Sequence, residues 1–282
     1  MGELIFWVDY RAFGGNARPY FEFGGSMAIA SPHQLFPRRA VIEFPKTKPS
    51  ADSLGEVEAD DGLRYFVKAD SNGRPTRACE WISTLIAEEV GISAPTPMPI
   101  EMKDGTVVFW SRKISGTSDD VITRNFLLKA SVSNFGNPPS AGLQSLLSSI
   151  YAFDMFLFND DRHFGNYLSC DDSGTRRLYA FDFSRCLFWA WPWNGFPSAQ
   201  THTRQRGAEL RRLHGFDTTV ATRTLDHLET LPSSAVDWIL GRMPANWLNG
   251  GLRADFVGWW ADGLRRNRAD VLRKGLIDGT LL

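Results

Sequence analysis

The run Asn159-Asp160-Asp161-Arg162-His163-Phe164-Gly165-Asn166, followed by Tyr179-Ala180-Phe181-Asp182-Phe183-Ser184, holds the side chains best suited to chemistry. Phosphoryl transfer asks little covalent work of a protein. It needs a carboxylate to take the proton of an attacking hydroxyl, and oxygen donors for the metal that bridges the phosphates. Mg²⁺ favours hard oxygen ligands and takes one or two carboxylates, with phosphates and water completing its octahedron. Asp161, then Asn166 a short loop later, then Asp182 after a hairpin, supply that set. A loop rich in Asp and Asn can also do no more than cap helices. Asp, His and Asn together, ahead of a second acid in apolar surroundings, exceed what capping requires.

These residues need elements to position them. Residues 150–158 are apolar almost throughout, which predicts a buried helix ending at the loop that begins with Asn159. Residues 166–169 read as a short strand, 171–174 as a turn and 177–182 as the returning strand, so that Asp182 comes back beside Asn166. Upstream, residues 63–69 read as a strand with Lys68 near its end, and 77–90 have helical periodicity that stops at Gly91 before Pro95. A strand Lys followed by a helix bearing an acid is how a kinase small lobe ties nucleotide phosphates to a helix. A strand-end Lys can also be a solvated edge charge.

Asp161-Arg162-His163-Phe164-Gly165-Asn166 and Asp182 resemble the catalytic and metal-binding loops of HipA-like kinases, bacterial serine/threonine kinases of atypical protein-kinase-like fold. The Asp-Arg-His-x-x-Asn form is shared with phosphoinositide-type lipid kinases, and its order reverses the His-Arg-Asp of ordinary protein kinases. The resemblance implies Asp161 as the base, Asn166 and Asp182 as Mg²⁺ ligands, and His163 as a loop-organising or transition-state-stabilising residue. A hydrogen-bonded structural histidine is the competing reading of His163. Asp160 and Asp154 stand further from the chemistry, Asp154 as an orienter of the loop. Glu80, Ile86-Ala87 and Gly91-Ile92-Ser93-Ala94-Pro95 are similar to the family's early Glu, Leu-Ala and Gly-Leu-x-x-Pro, which makes Glu80 the partner of Lys68. A helical wheel opposes that pairing: Ile82, Leu85 and Ile86 define the apolar face, Glu89 falls within it, and Glu80 lies opposite.

The phosphate-covering loop is expected in residues 46–55, which lack both the Gly-x-Gly-x-x-Gly and the Walker patterns. Ser50-Ala51-Asp52-Ser53 matches the family's short Ser/Gly/Ala segment, whose amides could approach phosphates. By analogy, Ser50 or Ser53 would be a self-phosphorylated off-switch; a polar hairpin turn is the alternative. Residues 106–116 are the expected hinge, with backbone groups of Ser111 and Arg112 contacting adenine.

The fold implied is α+β and bilobal, protein-kinase-like. Residues 1–115 would form a small lobe of mostly antiparallel sheet with one helix, including an N-terminal stretch of short strands that matches nothing in the family. Residues 116–282 would form a helical large lobe with the catalytic hairpin. Helices are expected at 205–213, 218–230, 233–240 and 254–274, a loop framed by Pro192 and Pro197 over the cleft, and a Pro-x-x-Trp turn at Pro244 to Trp247. Arg265, Arg266, Arg268, Arg273 and Lys274 read first as a solvated face of the last helix, and second as a docking patch for an acidic or tRNA-bearing partner.

Composition is compatible. The 282 residues suffice for two cores, and 31 basic against 32 acidic residues give no global pull toward nucleic acid or membrane. Cys79, Cys170 and Cys186 form no Cys-x-x-Cys pair, no apolar span is long enough for a bilayer, and no leader is recognisable, which together suggest a reducing cytoplasm. The expected reaction is ATP- and Mg²⁺-dependent transfer of the γ-phosphoryl group to a protein Ser or Thr hydroxyl. The resemblance further implies a protein substrate, an aminoacyl-tRNA synthetase for toxins of the family, and an antitoxin-type partner. A small-molecule or lipid kinase, a non-catalytic nucleotide-binding protein and a metal hydrolase on Asp161, His163 and Asp182 are the rivals.

Overall fold

Alternation of buried and exposed residues builds the first layer. The computed structural model describes residues 37–46, 53–129, 142–172 and 175–282; the short strands expected before residue 37, Ser50 and the turn at 173–174 lie outside them. Strands β1 (Arg38–Phe44), β2 (Ser53–Ala59), β3 (Arg64–Lys68), β4 (Pro97–Glu101) and β5 (Val107–Arg112) form a closed barrel in the order β1-β2-β3-β5-β4. Neighbours are antiparallel except where β1 closes on β4 in parallel, Arg38 opposite Ile100. Ala40, Val57, Ala59, Tyr65, Val67, Ile100, Val108 and Trp110 fill its interior. With Tyr65 and Val67 inward, the period of two sends Phe66 and Lys68 to the outer face. At Gly55 a bulge interrupts the β2–β3 register with φ of +124°, and a Cβ there would lie 3.0 Å from the Phe44 carbonyl oxygen.

Helix α1 (Thr76–Glu89) packs against β4 and β5 and is buried over most of its length, Glu80 included. It ends in a Schellman motif: Ile92 N–H reaches Ala87 C=O and Gly91 N–H reaches Glu88 C=O, with Gly91 at φ of +82°. Eight α-helices occur among the described residues. The others are α2 (Asp120–Lys129), α3 (Leu143–Phe156), α4 (His202–His214), α5 (Thr218–Thr230), α6 (Ser233–Arg242), α7 (Gly250–Ala261) and α8 (Gly263–Ile277). In α5, Ala221, Thr224, Leu225 and Leu228 recur at helical spacing and face α3 and α8, while Asp217 caps the first turn through Val220 N–H. Strands β6 (Tyr167–Asp172) and β7 (Thr175–Ala180) form a separate hairpin, and one apolar core joins α1, α3, the hairpin and the C-terminal helices.

Several expectations need correction. The single helix expected over 254–274 is two, because Asp262 ends α7 and its side chain caps α8 through Gly263 N–H. Helix α2 was not legible in the sequence. The basic face of α8 is solvated only in part: Arg268 donates to the Phe156, Met155 and Gly195 carbonyls, Arg265 is buried and donates to Leu231 C=O, and Arg273 pairs with Asp226, Glu229 and Asp270. Arg265 and Arg268 are thus engaged by the protein's own carbonyls and Arg273 by surface carboxylates, while Arg266 and Lys274 are exposed. The loop framed by Pro192 and Pro197 turns its rings inward, Trp191 and Trp193 packing edge-on to Trp259. The Pro-x-x-Trp turn is a 3-10 turn, and Trp247 Nε1 donates to Val107 C=O. No helix among the described residues is long and apolar enough to cross a membrane.

Candidate active site

Lys68 leaves the end of β3 on the outer face of the barrel and meets two acids. Its Nζ lies 2.5 Å from Glu80 Oε1 on α1 and 2.7 Å from Asp182 Oδ1, which is 114 residues away in sequence. Glu80 Oε2 accepts from Phe183 N–H at 3.0 Å, so this one carboxylate joins the lysine to the segment that carries Asp182. The helical wheel therefore fails here: Glu80 is buried and Glu89 is exposed, because α1 is covered on nearly every side and its acid faces Lys68 rather than water. Burial opposes the charge on Lys68, but the carboxylates of Asp182 and Glu80 outweigh it and hold the ammonium above its ordinary range. Burial also opposes Asp182 ionisation, yet Lys68 and the Ser184 hydroxyl hold its carboxyl well below the usual range. Glu80 is pushed upward by burial, with Lys68 pulling against it.

Asp182 lies two residues beyond β7, not on the strand as expected, and adopts φ of +60°. Its backbone is gripped on both sides. Phe181 C=O accepts from Arg162 Nη1, and Phe183 N–H is taken by Glu80. Arg162 also donates to Asn166 C=O at 2.9 Å and makes a buried bidentate pair with Asp154 on α3, through Nε at 2.8 Å and Nη2 at 2.9 Å. Asn159 Nδ2 donates to the same Asp154. Asp154 thus holds the loop as expected; the clamp formed by Arg162, eight residues further along the chain, was missed.

Asn166 closes the 3-10 turn of residues 164–166, donates from Nδ2 to Asp161 C=O at 2.9 Å, and accepts at its own C=O from Phe181 N–H. The hairpin register, Tyr167 opposite Ala180, places Asn166 and Asp182 at the same end. His163 Nδ1 accepts from Gly165 N–H at 3.0 Å, and burial lowers the pKa of the ring. Asp161 Oδ1 lies 2.6 Å from His202 Nδ1, and Oδ2 lies 3.9 Å from Arg185 Nε. Neither His202 nor Arg185 was legible as a neighbour of Asp161.

The flanking expectations fare unevenly. Ser53 opens strand β2 in register with Lys68 rather than sitting in a loop. Ser111 and Arg112 belong to β5, Ser111 paired with both Phe66 and Pro97, and Arg112 N–H donates to Thr96 C=O. That amide is therefore engaged within the barrel and not offered to a base. Among the described residues no three His, Cys, Asp or Glu side chains gather to hold a metal by themselves. The carboxylate of Asp182 and the carboxamide of Asn166 are hard oxygen donors of the kind Mg²⁺ takes when phosphates supply the rest, so the donor set fits that ion.

A family model described as HipA-like kinase matches residues 56–250. None of the curated proteins matches. Among solved structures, the Helicobacter pylori proinflammatory kinase CtkA is similar in fold, with a TM-score of 0.52 and 15% identity over 85% of this chain and 96% of that one. A chain from the Shewanella oneidensis MR-1 toxin–antitoxin complex of HipA, HipB and operator DNA gives a TM-score of 0.47 and 12% identity, over 75% of this chain and 60% of that one.

Proposed function

We propose that this chain, which belongs to the HipA-like kinase family, transfers the γ-phosphoryl group of ATP to a Ser or Thr hydroxyl of a protein. The observation that carries the proposal is the contact of Lys68 with both Glu80 and Asp182. A lysine held between a helix acid and a second acid beside a carboxamide is the arrangement that grips nucleotide phosphates next to a metal site. In this reading the barrel and α1 are the small lobe, through about residue 115, and the helical remainder is the large lobe. Lys68 binds the phosphates, Glu80 holds Lys68 in place, and Asn166 and Asp182 are the ligands for Mg²⁺. The ion supplies charge neutralisation of the phosphate oxygens when bound.

Asp161 accepts the proton as the substrate oxygen forms its bond to phosphorus and the bond to the leaving ADP oxygen breaks. His163 shapes the loop between base and ligands. The resemblance makes an aminoacyl-tRNA synthetase the first acceptor to try, and an antitoxin-type protein the first partner. The three buried free thiols Cys79, Cys170 and Cys186 suit a reducing cytoplasm. Incubation with γ-labelled ATP and candidate acceptors, followed by mass spectrometry, tests the reading. A phosphopeptide that is lost in Asp161→Asn protein supports it. Label appearing only on an added small alcohol or lipid overturns the protein-kinase assignment, and no turnover at all overturns the kinase.

A further inference from the structure

The first turn of α4 touches every residue of the loop from Asn159 to Arg162. Thr203 Oγ1 donates to Asn159 C=O at 2.6 Å and accepts from Arg162 N–H at 2.9 Å, while its own N–H reaches Asp160 C=O. His202, immediately before it, meets Asp161 with Nδ1 2.6 Å from Oδ1. An ionised carboxylate only accepts, so the proton of this hydrogen bond sits on His202 Nδ1. His163 is arranged the other way: its Nδ1 accepts from Gly165 N–H, which puts its proton on Nε2. Two imidazoles 5.8 Å apart and nearly perpendicular thus have opposite tautomers, each set by a different partner.

We propose that His202 is a positioning residue for Asp161, which occupies Oδ1 with the Nδ1 proton and reserves Oδ2 for the proton of the attacking hydroxyl. The inference rests on Asp161 being the base of the phosphotransferase reading above. Oδ2 lies on the side of Arg185, whose Nε is 3.9 Å away. Thr203 holds the loop backbone and His202 holds the side chain. The N-terminus of α4 adds a field that favours an anion at this point. Because base geometry and not nucleotide binding is at stake, loss of the contact should lower kcat and leave KM for ATP in place.

The test compares three substitutions in the full-length protein. In His202→Asn the amide nitrogen falls where Nδ1 was, and in His202→Gln it falls where Nε2 was. The Gln and Ala variants should lose about 10- to 100-fold in kcat, the cost of a base displaced by an ångström or less, with KM for ATP and melting temperature little changed. The Asn variant should keep most of the wild-type kcat. Wild-type kcat in the Ala variant, or an Asn variant as poor as Gln, overturns the inference while leaving the kinase reading intact; a wild-type protein without phosphoryl transfer sinks both. Long-range proton–nitrogen spectra of histidine-labelled protein give a readout without catalysis. They should place the His202 proton on Nδ1, and a proton found on Nε2 instead overturns the proposal.

Discussion

Asp182 combines a charge partner with an uncommon backbone. A non-glycine residue at φ of +60° is unfavourable, though Asp tolerates it better than most. Here the conformation is imposed by Arg162 on Phe181 C=O and by Glu80 on Phe183 N–H, which pin the peptides before and after it. The Asp182→Asn protein should keep that geometry but lose the charge that faces Lys68. Phosphoryl transfer should fall by about 10²- to 10³-fold, as when one electrostatic stabiliser is removed, with initial-rate kinetics as the check. The same substitution should alter the acid limb of stability. Asp182 has a depressed folded pKa, so its contribution is present above the unfolded value of about 4 and is lost as pH falls below it. Glu80, raised by burial, acts oppositely: its contribution is complete below its unfolded value and lost as pH rises. Urea titrations between pH 3 and 6 should show wild type losing stability faster than Asp182→Asn as the solution is acidified. A third residue, Gly165, sits tight against the imidazole, since a Cβ would lie 3.0 Å from His163 Cε1. Gly165→Ala should displace the His163 ring and lower kcat by about tenfold, with KM for ATP unchanged.

The elements do their work through a small number of buried polar joints. Asp154 on α3, Arg162 on the loop and the carbonyls of Asn166 and Phe181 lock the end of the β6–β7 hairpin to the helix behind it. Arg162→Met leaves Asp154 buried without its partner and should cost about 3–5 kcal/mol of stability in urea unfolding. Adding Asp154→Leu should restore much of that loss without restoring transfer, because the apolar pair cannot hold the two carbonyls. Helices α3 and α4 approach closely at Gly207, where a Cβ would come within 2.5 Å of the Tyr151 ring. Gly207→Ala should therefore destabilise the protein by about 1–3 kcal/mol, and a lowered urea midpoint would show it. At this level the sequence was legible where the pattern was local. The strand ending in Lys68, the helix stopping at Gly91 and the apolar helix before Asn159 all follow from period and punctuation. It was illegible where a long-range partner changed the meaning of a residue. Asp262 reads as one more polar helix position until its side chain caps α8, and the arginines of α8 read as solvated until carbonyls of α3 and of the loop after Trp193 are brought to them.

Across the molecule, a filled barrel and a larger helical core meet at Lys68, Glu80 and Asp182, with Trp81 Nε1 on Ile239 C=O and Trp247 Nε1 on Val107 C=O tying α1 and β5 to the C-terminal half. A ligand gripped by residues from both cores should stabilise them together. Mg·ATP at a hundred times its Kd should add about 2.7 kcal/mol and raise Tm by about 5–10 °C; thermal-shift curves should lose the gain with chelator and in Asp182→Asn. The sequence by itself singled out Asp161, Asn166, Asp182 and Lys68 as candidates for the chemistry, because they are marked by residue type and by neighbours close along the chain. Only the tertiary structure decided that Glu80 rather than Glu89 faces Lys68, that His202 and Arg185 flank Asp161, and that Arg162 holds Asp182 in its turn. Those pairings join residues 12 to 41 positions apart along the chain. Hydrophobic periodicity, which describes one face of one element, carries no information about which distant side chain will fill a buried polar gap.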